Sequence, residues 1–224
     1  MKPVAPCFEA QDLPTGLAFR TAQSESRMGA YSLLARRYAE RGYLCQELST
    51  HSEGSVTICS AFLGPATVAT IAVRFDGAQG LAADALFPAE LAALRASGLS
   101  LCEFGRLALD HDVSDNKSLL ARLFHLAFLH AHRLAGCELL VIEVNPRHVP
   151  FYKRMLGFEQ RSEVQLNPRV QAPAVLMVLN LVHGRERIAN WGGRAAELGA
   201  ASRTLFPYFY GPAEEAALLL KLRN

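Results

Sequence analysis

The chain has 224 residues, 50% of them hydrophobic and 20% charged, with a formal net charge of +2 at pH 7. That length holds one well-buried core, the composition excludes a disordered chain, and the small charge excess is not the footprint of a nucleic-acid binder. No apolar run reaches the roughly 18 to 20 residues needed to cross a bilayer, and the opening MKPVAPCFEAQDLP lacks the apolar stretch of a secretory signal. No transmembrane segment is therefore expected, and a cytoplasmic protein is. Cys7, Cys45, Cys59, Cys102 and Cys137 make an odd count without CxxC spacing, which predicts reduced structural thiols and no zinc or disulfide framework.

Residues 1–16 carry prolines and glycines without periodicity and read as a loose arm, followed by a short strand over 17–21. From Ser24, Met28, Tyr31, Leu34, Ala35 and Tyr38 recur at helical spacing, and Gly42 closes that helix. Two β-rich runs, 55–63 and 66–75, flank Gly64-Pro65 as a hairpin. Phe87 to Ala96 has the spacing of a short helix with Pro88 in its first turn. The run LSLCEFGRLAL (99–109) is an apolar strand with Glu103 and Arg106 embedded in it, and such charges need a reason.

Ser114 or Asp115 can cap a long helix that runs through Leu134 and stops at Gly136. ELLVIEV (138–144) reads as a strand buried on both faces. A short helix, Pro146 to Leu156, leads to two further strands, in GFEQRSEV and in 173–182. A helix around Arg185 to Leu198, the aromatic run LFPYFY and a last helix opened by Gly211-Pro212 complete the chain. This order predicts an α/β fold, a central mixed sheet with helices on both faces. It divides into residues 1–182 and a helical C-terminal extension, 183–224, packed on the same domain.

Two segments carry chemistry. In VIEVNPRHVPFYKRMLGFE (141–159) a buried strand ends at Val144, Asn145 stands at its tip, and Tyr152 follows on a short helix before Gly157-Phe158. This resembles the C-terminal half of the GNAT acyltransferase fold. The resemblance implies that Tyr152 lies near a leaving sulfur and protonates the departing thiolate, with Asn145 bonded to the donor's arm or to the helix. His148 stands at the mouth of the same cleft. In the second segment, Glu103 and Arg106 have odd separation and face opposite sides of a regular strand, unless a bulge at Gly105 changes the register. The GNAT likeness implies such a kink. It parts this strand from its parallel neighbour near Gly105 and Asn145, so that backbone N–H groups at Leu107, Ala108 and Leu109 polarise the thioester carbonyl.

The E-x-x-R pair, with AYSLLARRYAERGY, EFGRLAL, VNPRHVPFYKRMLGF, NPRVQAPAVLMVLNL and LFPYFYGPAEEA, is similar to acyl-homoserine-lactone synthases. It resembles more closely the long-chain N-acyl amino acid synthases of the FeeM type. Carried onto these positions, the resemblance implies that Glu103 is the base that frees an amine of its proton. Arg106 then holds Glu103 or binds an acceptor carboxylate, and Arg27, Tyr31, Arg37 and Tyr38 of the first helix cover the small-molecule amine acceptor.

Acetyl-CoA enzymes of the fold cradle a pyrophosphate in a glycine-rich loop at a helix N-terminus. Here the equivalent stretch, LDHDVSDNKSLLAR, has no glycine and three acids. The donor this implies is an acyl-phosphopantetheine on an acyl carrier protein, with acyl-CoA second, and no permanently bound cofactor. Lys117, Arg122, Lys153 and Arg154 would meet the acidic carrier. His125 and His132 stand about 10 Å apart along one helix, too far for one ion, so no metal is expected. The expected function is transfer of a medium or long acyl chain to the α-amine of an amino acid. An acetyl-CoA-dependent acetyltransferase, an acyl-homoserine-lactone synthase and a non-catalytic acyl-chain or carrier-binding protein are the alternatives.

Overall fold

Strands with apolar side chains on both faces must be covered twice, and the sheet of this protein is. The computed structural model describes residues 15–21, 24–40, 42, 56–113, 116–199 and 201–223. The strands are β1 (Leu17–Thr21), β2 (Val56–Leu63), β3 (Ala66–Phe75), β4 (Leu101–Leu109), β5 (Leu139–Val144), β6 (Glu159–Gln160), β7 (Gln165–Asn167) and β8 (Ala172–Asn180). Their order is β1-β2-β3-β4-β5-β8-β6, with β7 on β8. Every pair is antiparallel except β4 with β5. That parallel pair needs a long crossover, supplied by α3 (Lys117–Phe128) and the π-helical turn Leu129–Leu134 that continues it.

On one face, Ile71, Val73, Cys102, Phe104, Leu140 and Ile142 pack against the buried side of α3. On the other, Leu101, Leu139, Val141 and Leu176 pack on Phe87 and Leu91, which flank and belong to α2 (Pro88–Ala96). Leu33 and Leu34 of α1 (Ser24–Ala39) cover Ala108 on that same face. The remaining helices are α4 (Val149–Leu156), α5 (Leu181–Trp191), α6 (Ala195–Leu198) and α7 (Pro212–Arg223). Leu205, Phe206 and Phe209, between α6 and α7, are buried in the α3-side core.

The sequence misplaces three features. The single helix expected from Arg185 to Leu198 is two, α5 and α6, because Gly192 and Gly193 lie against the C-terminal chain. A Cβ on Gly192 would stand 2.6 Å from the Tyr210 carbonyl oxygen, and the Gly193 N–H donates to Phe209 O. The strand expected in GFEQRSEV (157–164) is reduced to β6, because the Leu176 N–H donates to Ser162 Oγ and not to a strand carbonyl, and pairing with β8 resumes only beyond that segment, in β7. The long helix is capped by Asn116, whose side chain accepts from Leu119 N at 2.8 Å. The expected caps, Ser114 and Asp115, lie outside the described residues.

Candidate active site

The parallel ladder between β4 and β5 is short. It pairs Leu101 with Leu139, Cys102 with Leu140 and Glu103 with Val141, and then ends. Beyond it β4 runs on to Leu109 and β5 to Val144, so the two strands part at the middle of the sheet. The cause lies on the other edge of β4. Ala72 pairs with Gly105 but Thr70 with Ala108, which leaves one extra residue in β4. The irregular backbone is at Arg106, with φ +53°, and not at Gly105. A non-glycine residue there stores strain, and the bulge bends the strand away from its neighbour.

The extra residue also decides the faces. Glu103 stands opposite Arg74 in the β3 ladder, on the α1/α2 face. Arg106 is carried to that same face, where it lines a small cavity with Tyr31 and Leu34 of α1. Between them, a Cβ built on Gly105 meets no atom within 4 Å, so the face is open at that point.

Glu103 is only 7% exposed. Its Oε2 accepts from the Ala82 N–H at 2.6 Å and from the Ala83 N–H at 3.3 Å. Burial dominates over these two donors and pushes the carboxyl up to about 7, with the nearby Glu143 carboxylate adding to the rise. The donors themselves are held by Arg95, whose guanidinium donates to both oxygens of Asp76 and of Asp84 at 2.7–2.8 Å. Asp84 in turn accepts from Leu81 N.

Tyr152 lies on the opposite, α3 side. It is half-buried in edge contacts with Phe124, Phe151 and Phe158, at centroid distances of 6.5, 5.3 and 5.6 Å. Gly157, with φ +84°, ends α4 behind it. Asn145 accepts from the Arg147 N–H and opens the turn Pro146–His148. His148 receives a hydrogen bond from Arg147 Nε. Thus Glu103 and Tyr152 do not touch; they stand on opposite faces of a sheet whose strands part beside Glu103. Phe104, the first residue past the last β4–β5 pair, lines an apolar cavity of about 30 Å³ with Phe124, Leu140, Ile188, Phe206 and Phe209.

The α1 residues scatter. Tyr31 lines the cavity with Arg106, and Tyr38 packs on Leu33, Leu34 and Ala108. Arg37 is buried and paired with Glu40 at 2.5 Å. The Arg27 side chain lies outside the described residues. Of the expected carrier contacts, Lys153 and Arg154 are exposed on α4. Lys117 sits over the Tyr208 ring, and Arg122 lies over Tyr210 and near Glu214. Three groups beside Glu103 escaped the sequence reading: Glu143, Asn167 and Arg169. Glu143 had a signal, being a charge inside an apolar strand as Glu103 is.

The family model of the FeeM N-acyl amino acid synthases matches residues 29–180. The structure of FeeM, an N-acyl amino acid synthase from uncultured soil microbes, is 31% identical and superposes with a TM-score of 0.69, covering 76% of this chain and 93% of that one. ElaA of Escherichia coli follows at 11% identity and TM-score 0.55, over 72% of this chain and 98% of its own. An aminoglycoside N(6')acetyltransferase of Legionella pneumophila matches at 11% and 0.52, over 78% and 98%. At such identity these two speak for the shared GNAT fold alone. No curated protein sequence matches significantly.

Proposed function

Because the chain belongs to the FeeM family of N-acyl amino acid synthases and is an N-acyltransferase, we propose that it moves a medium or long acyl chain from an acyl carrier protein to the α-amine of an amino acid. The observation that carries this reading is the parting of β4 and β5 beside a buried carboxyl pushed up to about 7.

An ammonium cannot attack a carbonyl, and a base with a pKa near neutrality takes its proton most effectively. In this reading the amine enters on the α1/α2 face, gives its proton to Glu103 and attacks the thioester carbonyl lying between the strands. The β4 edge from Leu107 to Leu109 has no β5 partner, so its N–H groups suit the developing oxyanion. Arg106 borders the acceptor space with Tyr31. The C–S bond breaks as the tetrahedral intermediate collapses, and Tyr152, near Asn145 and His148, hands its phenolic proton to the thiolate. The donor is a substrate, and no resident cofactor is required.

A carrier-bound arm is favoured by the start of α3. Asn116 occupies one of its N-terminal amides, and no glycine lets a pyrophosphate approach closely. Lys153 and Arg154 are exposed on α4, which follows Asn145, where an acidic carrier would dock. The cavity behind Phe104 is apolar, as an acyl chain demands, but its 30 Å³ holds only a water or two. Its aromatic walls must therefore separate when a chain enters. The buried free thiols Cys59, Cys102 and Cys137 fit a reducing compartment such as the cytoplasm.

The test is to incubate the protein with carrier protein charged with chains of graded length and a panel of amino acids, and to read products by mass. N-acyl amino acids are expected. Turnover of acetyl-CoA with none of any carrier-bound chain would transfer the assignment to an acetyltransferase.

A further inference from the structure

Ala82 is held at both ends of its backbone. Its N–H donates to Glu103 Oε2 at 2.6 Å, and its carbonyl accepts from Arg169 Nη2 at 3.4 Å. One N–Cα–C=O unit therefore spans the distance between the carboxyl and the guanidinium. A free α-amino acid is built on that same unit, with an ammonium in place of the N–H and a carboxylate in place of the carbonyl.

The matching donors and acceptors are left over. Both amides that reach Glu103 use Oε2, and among the described residues no hydrogen bond reaches Oε1. Both contacts of Arg169 use Nη2, the second being Glu143 Oε2 at 3.3 Å. Its Nη1 and Nε take no partner among the described residues, and its side chain is 46% exposed.

Arg169 is also fixed in place, although it comes from a turn. Its own N–H donates to Asn167 Oδ1 at 2.8 Å, and the buried Asn167 donates through Nδ2 to Glu143 Oε1. Glu143 lies two residues beyond Val141, the last β5 residue paired with β4, and so on the Glu103 face at the point where the strands part. Among the described side chains of α1, Arg36 pairs with Asp110 and Arg37 with Glu40, both at 2.5 Å.

We propose that Arg169 binds the α-carboxylate of the acceptor, so that Glu103 and Arg169 together select an α-amino acid by the spacing of its amine and its acid. This rests on the acyl-transfer reading above, and it moves the carboxylate grip from Arg106 of β4 to the β7–β8 turn. An N–H left over at Nη1 or Nε makes a charge-assisted bond to a carboxylate and a weaker one to an amide.

Calorimetry on the full chain tests this without turnover, using each L-amino acid of the acceptor panel beside its amide. The wild type should bind the preferred acid about tenfold to a hundredfold tighter than its amide, as a charge-assisted pair does. Arg169→Gln should bring that ratio to about one by weakening the acid alone, with Arg169→Lys in between. A structural role for Arg169 predicts instead that acid and amide weaken together. An unchanged ratio in Arg169→Gln, or a wild type that binds acids no better than amides, overturns the proposal. The ratio and the product assay fail separately. Loss of the ratio without any N-acyl product leaves the amino-acid site and removes the acyl transfer, whereas product with an unchanged ratio does the reverse.

Discussion

Glu103→Gln separates what the carboxyl costs the fold from what it does in catalysis. In the folded protein this group titrates at about 7, against an ordinary value of 4.5, chiefly because burial disfavours its charged form. Between those pH values the folded chain holds a proton that the unfolded chain has released, so wild-type stability falls as pH rises through the window. At about 1.4 kcal/mol for each pH unit, the gap amounts to about 3 kcal/mol. Glutamine keeps an oxygen for the Ala82 and Ala83 amides but has no proton to lose. Urea unfolding of both proteins from pH 4 to pH 8 should therefore show the variant gaining on the wild type by up to about 3 kcal/mol, with all of the gain between about 4.5 and 7. At pH 8 the more stable variant should be inactive, while wild-type kcat/KM rises with pH to a plateau above about 7. A stability difference that stays constant across this range would refute a desolvated carboxyl at position 103, and with it the tuned base.

Tyr152→Phe should lower kcat about a hundredfold as a lost general acid, with stability within about 1 kcal/mol. A donor whose thiol is more acidic should recover much of the rate, and equal losses with both donors would contradict proton transfer to sulfur. Gly105→Val should leave stability within about 1 kcal/mol, since β-propensities span no more than that and a Cβ there meets nothing within 4 Å. By filling the acceptor face it should cut kcat/KM at least about tenfold, and full activity would show that the amine does not pass there. Arg95→Met should cost about 1 to 2 kcal/mol, a figure discounted for the half-exposed guanidinium. Asp84 is held below its ordinary carboxyl value, foremost by its bond to Arg95. Its contribution is present above pH 3.8 and disappears as pH falls through the lowered value. Thermal melts should therefore separate variant from wild type more at pH 7 than at pH 3.

Much of the architecture is written in local patterns. The β-rich run 66–75, the proline in the first turn of α2 and the glycine after Leu156 each set a backbone state through neighbours a few residues away. Where the sequence reading erred, a distant partner intervened. Gly192 and Gly193 break a helix only because Tyr210 and Phe209 lie against them, and Ser162 interrupts a strand by taking the Leu176 amide. Two charges inside the apolar β4 marked the site, and the family resemblance implied a kink near Gly105. Which residue takes the strained φ could not follow, because the register against β3 decides it.

The sequence by itself determined the family, the strand that carries Glu103 and the helix that carries Tyr152, since these depend on residue types in consecutive order. Only the tertiary structure decided that Glu103 is shut away from water by a loop twenty residues earlier, and that Arg169, 87 residues from Ala82, reaches the same backbone unit. Desolvation and the spacing between two charged groups are properties of the packed volume, and no order of neighbours along a chain encodes them directly.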